Sequence, residues 1–519
     1  MNNYRILIIT VIGLGISQII ASCHVYMANI QLADQIIYLQ SQGYFIVPNM
    51  HVLPQLKSLD YAFIGGLFFT GTIGLGIISI TVFVSWFWND IIQKNKIFLI
   101  IIILQWMIAV YYANINGWCV FSLYLCIMLP LLAVITAFLP IKSKSSISHP
   151  KLFWWLPILF IMMTVVCTGR SITFISIRDN LLLSNDLGNR LNDLYYRYTL
   201  FPGEIIKPFA LKQQKTCYID TETNDAKIYI KALKRKCIQY DYLPIPDKSK
   251  ADVILQIRPP NLFLQTKDRT VVQEDIMIFL RKTKSVFSNF SMQTDVNDLF
   301  RMCILLSLVL SAPILTYIIF MNGLFSLFRL IRIPGLISQF LAVGVMCTWI
   351  GLIILQLPPE IPENTPEKDW QTAFDQSFQE MDWQQAVVVL KSNHLTLNRK
   401  NHQLAQKWLN QTDHPVLKYW LIRYLSDSKF LINNAVFLKY LSDSNVNVVC
   451  QALYSLGRQR DQELIAPIKT FMKDCSHWYV QMYAYRALKR LGWRNYPETT
   501  RKVSTVTIQQ NHYIPSAQE

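Results

Sequence analysis

Arg178, Asp179, Asp186, Arg190, Asp193 and Glu204 make up the densest run of ionisable side chains beside an apolar segment in this chain. Set around a polar substrate at a membrane surface, such residues could do acid–base work on a lipid or glycan of the outer leaflet. Arg178, Asp179, Arg190, Asp193 and Glu204 are the catalytic candidates. That chemistry requires groups that converge in space with matched pKa values. A linear cluster supplies neither, and the same residues also describe a charge-paired elbow that orients the next domain. Leu183, Leu187, Leu191 and Leu194 recur at spacings of three and four, one apolar stripe of a helix. Arg190, Asp193 and Arg197 fall on or near its other face, where they pair at helical spacing. Tyr195, Tyr196 and Tyr198 suit the headgroup zone. The expected object is an interfacial helix lying against a membrane bundle.

The rest of the chain offers little other chemistry. The eight histidines form no HxH or HExxH pair, and there is no CxxC, Gly-x-Ser-x-Gly or Walker lysine motif. No cofactor and no metal site is expected. Gly13-Leu14-Gly15 and Gly71-Thr72-Ile73-Gly74-Leu75-Gly76 lie inside apolar runs and are small residues for helix packing. Gln18, Gln105 and Gln339 are polar exceptions within or near such runs, suited to bonding helices together. An even cysteine count in each extramembrane region admits disulfides, with Cys217–Cys237 the stronger pair and Cys450–Cys475 the weaker. Arg5, an apolar core and Ile20-Ala21-Ser22-Cys23 also fit a lipoprotein signal ending at a lipidated Cys23, the alternative to a retained anchor.

The elements that must position these residues follow from hydropathy. Hydrophobic residues make up 52% of the 519 and charged ones only 16%, where soluble domains carry about 25%. Apolar runs at 6–27, 61–86, 97–112, 120–139, 153–168, 304–325 and 336–355 predict about seven spans. Lys94 and Lys96, Lys142, Lys144 and Lys151, and Arg329 and Arg332 then fall on one side, the cytoplasmic one, with the N-terminus. Segment 28–60, region 171–301 and the C-terminal region fall on the other, periplasmic or extracellular. The net charge of +16 is spread over juxtamembrane loops and extramembrane regions. It fits an anionic membrane surface, with no basic stripe for nucleic acid.

The expected organisation is a first group of spans over 1–170 and the elbow with a small α/β domain over 171–301. Two spans follow over 302–357, then a linker over 358–369, a helical domain over 370–495 and a tail over 496–519. Within the α/β domain, 226–230, 251–257, 261–265 and 275–280 read as strands. In the C-terminal domain, Val448, Val449, Ala452, Leu453, Leu456-Gly457 and Tyr479, Val480, Ala484, Ala487, Leu488, Leu491-Gly492 repeat one apolar face, preceded by Asp443 and Asp474. This resembles a short HEAT-like repeat, "D…V..A…AL..LG", over 412–493, which implies a stacked helical solenoid that binds partners. Tyr485 and Arg486 are the expected contact residues. The whole chain resembles bacterial multi-pass inner-membrane proteins with a C-terminal HEAT-like domain, a class that implies no activity. The expected function is a membrane-anchored scaffold or assembly protein that contacts membrane lipids and another envelope protein. The alternatives are the outer-leaflet enzyme and a transporter subunit, the latter disfavoured by uncharged spans.

Overall fold

The computed structural model describes residues 2–88, 92, 95–138, 178–221, 227–266, 269–308, 367–392, 399–427 and 434–498, with scattered positions between 320 and 348. The fold is mostly helical, with a small mixed five-stranded sheet. Three helices are long and apolar enough to cross a membrane: Ile8–Ser41, Leu59–Ser85 and Lys96–Ala113. A shorter apolar helix covers Phe121–Ala137. The span expected at 153–168 lies outside the described residues, and those at 304–325 and 336–355 largely do.

The first helix, α1, runs unbroken over Asn2–Ser41. At 1.5 Å per residue it is about 60 Å long, twice the hydrocarbon thickness of a bilayer. Sequence alone ends this span near Met27, yet the helix continues because nothing in 28–41 breaks it: there is neither Gly nor Pro before Gly43. α1 packs along α2 (Leu59–Phe69) and α3 (Leu75–Trp86), which are joined by a π turn over Thr70–Gly74. The contact is close because it is small against small. A methyl group on Gly74 would stand 2.2 Å from Ser17 Oγ. Gln18 ties the helices, donating to the Phe63 carbonyl at 2.7 Å and accepting from Thr70 Oγ1 at 2.8 Å. α4 (Lys96–Ala113) is apolar on every face and leaves Ile97, Ile100, Leu104, Met107 and Ile108 exposed. That is how a lipid-facing helix reads. α5 (Leu129–Phe138) follows a short helical turn and a second π turn.

Beyond a gap in the described residues come α6 (Asp186–Leu194), a π turn over Tyr195–Thr199 and α7 (Leu200–Ile205). The sheet domain contains β1 (Lys215–Thr221), α8 (Lys227–Gln239), β2 (Tyr242–Pro244), β3 (Val253–Arg258), β4 (Asn261–Gln265), β5 (Thr270–Asp275) and α9 (Ile276–Gln293). The strand order is β2-β1-β3-β4-β5, with β1 parallel to β2 and β3, and the β3–β4 and β4–β5 pairs antiparallel. The two-residue period of β3 splits its side chains. Val253, Leu255 and Ile257 pack with Leu233, Phe279 and Phe287 of α8 and α9, while Ile254 joins Ile36, Leu39, Tyr44 and Leu56 on the other face. The sheet therefore rests on the C-terminal end of α1.

Two expected strands are helices. Lys227–Ile230 alternates over too few residues to outweigh Tyr229, Leu233 and Cys237, which recur every four and face the core in α8. At Asp275 the strand ends because its carboxylate accepts from Met277 N and Ile278 N at 2.7 and 3.2 Å, capping α9.

α10 (Asp298–Leu306) returns into the bundle, where Phe300 stacks on Phe69 and Phe121 at 5.6 and 5.4 Å. The C-terminal region forms α11 (Glu367–Glu380), α12 (Trp383–Ser392), α13 (Arg399–Gln411), α14 (Pro415–Asp427), α15 (Ala435–Lys439), α16 (Val446–Leu456), α17 (Ile465–Asp474) and α18 (Trp478–Arg490). Each odd-numbered helix packs on the next, and α12, α14, α16 and α18 pack side by side in that order. The cap of α16 is Asn445, whose side chain accepts from Asn447 N and Val448 N, while Asp443 in turn receives Asn445 N and Lys418. Asp474 lies at the end of α17 and does not cap α18. A Cβ on Gly457 would lie 2.8 Å from Ala487 Cα, which is backbone and cannot yield. Gly457→Ala is therefore expected to cost about 1–3 kcal/mol by overpacking, read as a lower Tm of the full chain in detergent.

Candidate functional site

Arg178 and Asp179 are where the elbow enters the C-terminal helices. Asp179 is completely buried. Its Oδ1 accepts from Arg178 Nε at 2.8 Å, and its Oδ2 accepts from Trp420 Nε1 and Lys391 Nζ, each at 2.8 Å. The Arg178 guanidinium lies 4.1 Å over the Tyr419 ring. One carboxylate thus joins the elbow to α12 through Lys391 and to α14 through Trp420, and it also pairs with a second Arg178 nitrogen at 2.7 Å.

The other candidates lie in separate contacts. Asp193 faces Arg197 Nε at 3.4 Å and His477 Nε2 at 3.6 Å. Burial, and next the Arg197 charge, push the His477 imidazole down to about 4. Glu204 pairs with Lys207, and Asp186 and Arg190 are exposed on α6. The five catalytic candidates therefore do not line one groove. The leucine stripe of the elbow divides, because Leu183 lies in the bend before α6. Leu183 is buried in the C-terminal core, but Leu187, Leu191 and Leu194 are exposed at 70, 51 and 46%. Gly188 and Asn192 face the protein instead, and Tyr196 stacks on Tyr479 at 4.6 Å.

Two further junctions carry residues that sequence reading missed. Asn49 donates its amide to the carbonyls of Met472, Lys473 and Cys475 at 2.9, 3.1 and 3.0 Å, and its backbone N–H to Gln481 at 2.8 Å. It thereby satisfies the free carbonyls at the end of α17. Gln214 bridges the same loop to the sheet domain, accepting from Val47 N at 2.7 Å and donating to the Phe45 carbonyl at 2.5 Å. Asp241, in the left-handed region at φ 63°, receives Tyr485 Oη at 2.8 Å and Lys489 Nζ at 2.7 Å. Nothing local in the sequence marks these residues, since each partner lies more than 160 positions away. Asn49→Ala is expected to lower stability by about 1–3 kcal/mol, because it strands buried carbonyls. Limited proteolysis of the 43–58 loop checks it: cleavage should accelerate in the variant.

No family model, no curated protein and no solved structure matches the chain.

Tyr485, expected at the surface, is 1% exposed and bound to Asp241, because its helix turns that face toward the sheet domain; Arg486 is exposed. Cys217 and Cys237 are free thiols, fully buried and in contact across the sheet and α8, and burial pushes the Cys217 thiol well up. Cys450 and Cys475 are also free. Cys23 is exposed midway along α1, and the turns before it place Ile9, Ser17 and Ile20 in the bundle core. Among the described residues no group of three His, Cys, Asp or Glu side chains is placed to hold a metal ion.

Proposed function

We propose that the protein is a multi-pass scaffold of about seven spans in a bacterial inner membrane, whose extramembrane regions form one body that recruits another envelope protein. The observation that carries this reading is the use of the charged and aromatic residues. Asp179, Asn49 and Asp241 each bond one extramembrane region to another, so the ionisable elbow serves as a joint. Seven spans put segment 28–60, the sheet domain and the C-terminal helices on the same side. Their mutual contacts support a shared side, and the Lys/Arg content of the short loops supports reading it as extracytoplasmic. The row α12, α14, α16, α18 is read as the inner layer of a HEAT-like solenoid, and its inner face is occupied by the chain's own elbow. The partner surface is therefore the outer layer, where Gln403 and Lys407 of α13 and Thr470 and Lys473 of α17 are exposed.

The test is site-specific photo-crosslinking in cells, with the crosslinker placed at each of these four positions in the full chain. A discrete adduct with another membrane protein is expected from the outer layer, and none from a fifth, control position at the buried Tyr485. If no position yields an adduct and the full chain purifies alone from mild detergent, the scaffold reading fails.

A further inference from the structure

A partly open cavity of about 180 Å³ lies between the sheet domain and the bundle, away from the joints described above. Its volume corresponds to roughly six waters, the scale of a small polar headgroup. Its walls carry both signs of charge, from Lys207 and Lys212 and from Asp252 and Asp295, beside the apolar rings of Phe209 and Phe290. Most of these polar groups are already engaged. Asp295 is held by Arg301 at 2.6 Å, and Lys207 is paired with Glu204. Asp252 uses Oδ2 for Thr216 N and Oγ1, each at 2.8 Å, and for Gln35 Nε2 at 3.4 Å. Lys212 is different. Among the described residues its ammonium makes no hydrogen bond or ion pair, although the Asp252 and Asp295 charges are near enough to oppose the lowering that burial imposes on it. Among the described residues no carboxylate is within pairing distance of this ammonium, and of the two Asp252 oxygens only Oδ2 accepts a hydrogen bond.

The cavity's depth is set by its floor. Asn116, in the loop after α4, donates to the Asp295 carbonyl at 3.2 Å, and Cys119 Sγ lies 3.3 Å from Asn297 Oδ1. Only a few residues later Phe300 is in the apolar bundle core. On the membrane placement argued above, the cavity is level with the lipid headgroups.

We propose that this cavity binds a zwitterionic phosphoethanolamine group, with the phosphate on Lys212 and the ammonium on Asp252. The chemistry matches in both signs: the phosphate supplies an anion within pairing distance of Lys212, and the primary amine donates to Asp252 Oδ1. The group could arrive as a lipid headgroup or as a free small molecule.

The test is the thermal transition of the full chain in detergent micelles, followed by tryptophan fluorescence and titrated with phosphatidylethanolamine, phosphatidylglycerol, diacylglycerol or soluble phosphoethanolamine. Phosphatidylethanolamine should raise Tm in a saturable way, with diacylglycerol inert. Lys212→Gln should raise the half-saturating mole fraction at least tenfold, while Lys212→Arg, which keeps the charge, should stay within a few-fold of wild type. Asp252→Asn should shift the preference toward phosphatidylglycerol. A response to soluble phosphoethanolamine would identify the headgroup alone as ligand, and a response only to the lipid would show that the acyl chains are needed as well. A phosphatidylethanolamine response unchanged in Lys212→Gln, or matched by diacylglycerol, overturns the proposal.

Discussion

Replacing Asp179 with alanine is expected to destabilise the folded extramembrane body by about 3–5 kcal/mol, the usual cost of stranding a buried charge. The carboxylate accepts from Arg178, Lys391 and Trp420 at this joint, and it has no access to solvent. Without it, Lys391 and Arg178 keep their positive charges at low exposure, 20 and 8% for the side chains, with no anion between them. The Trp420 N–H also loses its acceptor. The cost comes mainly from the cations left behind, so removing one of them should restore stability. Asp179→Ala combined with Lys391→Met is expected to recover a large part of the loss. Thermal melting of the full chain in detergent measures both variants. A single variant within about 0.5 kcal/mol of wild type would mean that water reaches the joint and replaces the carboxylate.

Acidification should loosen a neighbouring contact. His477 is held down to about 4 from an ordinary 6.5 by burial, then by Arg197, with Asp193 at 3.6 Å opposing the shift. Between those two values the unfolded chain binds a proton here that the folded chain refuses. The contribution to stability is therefore complete above pH 6.5, is lost as the pH falls, and is gone by about 4. Integrated over that window it is on the order of 3 kcal/mol. His477→Gln, which cannot take up the proton, should flatten this part of the profile. The check is the difference in Tm between wild type and variant from pH 7.5 to 4.5: a difference that does not change with pH would assign the acid sensitivity to other groups.

How much of this was legible in the sequence depends on how far each residue's partner lies along the chain. Runs of apolar residues report their own environment, so the helices of the bundle were readable from hydropathy. Gln18 was readable as a bond between helices for the same reason, since a glutamine in an apolar run must find a partner nearby. Val253–Arg258 and Asn261–Gln265 were readable as strands because a two-residue period fixes which face is buried. The outcome at Lys227–Ile230 went the other way, as four alternating residues are less informative than the three core positions that continue one helix face. Leu187, Leu191 and Leu194 were readable as one helix face, whereas Leu183 lies in the bend before that helix and turns into the C-terminal core. Periodicity places leucines on one face and says nothing about what that face meets. Tyr485 illustrates the same limit, because only the fold brings Asp241 to it. The charged elbow was the most visible feature of the sequence, and its residues proved to be distributed over separate joints.

The hydrogen bonds between Phe45 and the Asn495 side chain, and from Glu498 N–H to the Gly43 carbonyl, connect positions some 450 residues apart. Ribosomes add about 5–20 residues per second. For roughly 20–90 s after the loop at 43–49 leaves the ribosome, the segment that covers it has yet to be made. During that interval Tyr44, Ile46 and Val47, all buried in the finished protein, have no permanent neighbours from the C-terminal helices. Biogenesis is therefore a matter of timing as well as insertion: the first part of the chain to emerge is among the last to close, and a chain truncated before α18 would leave it open.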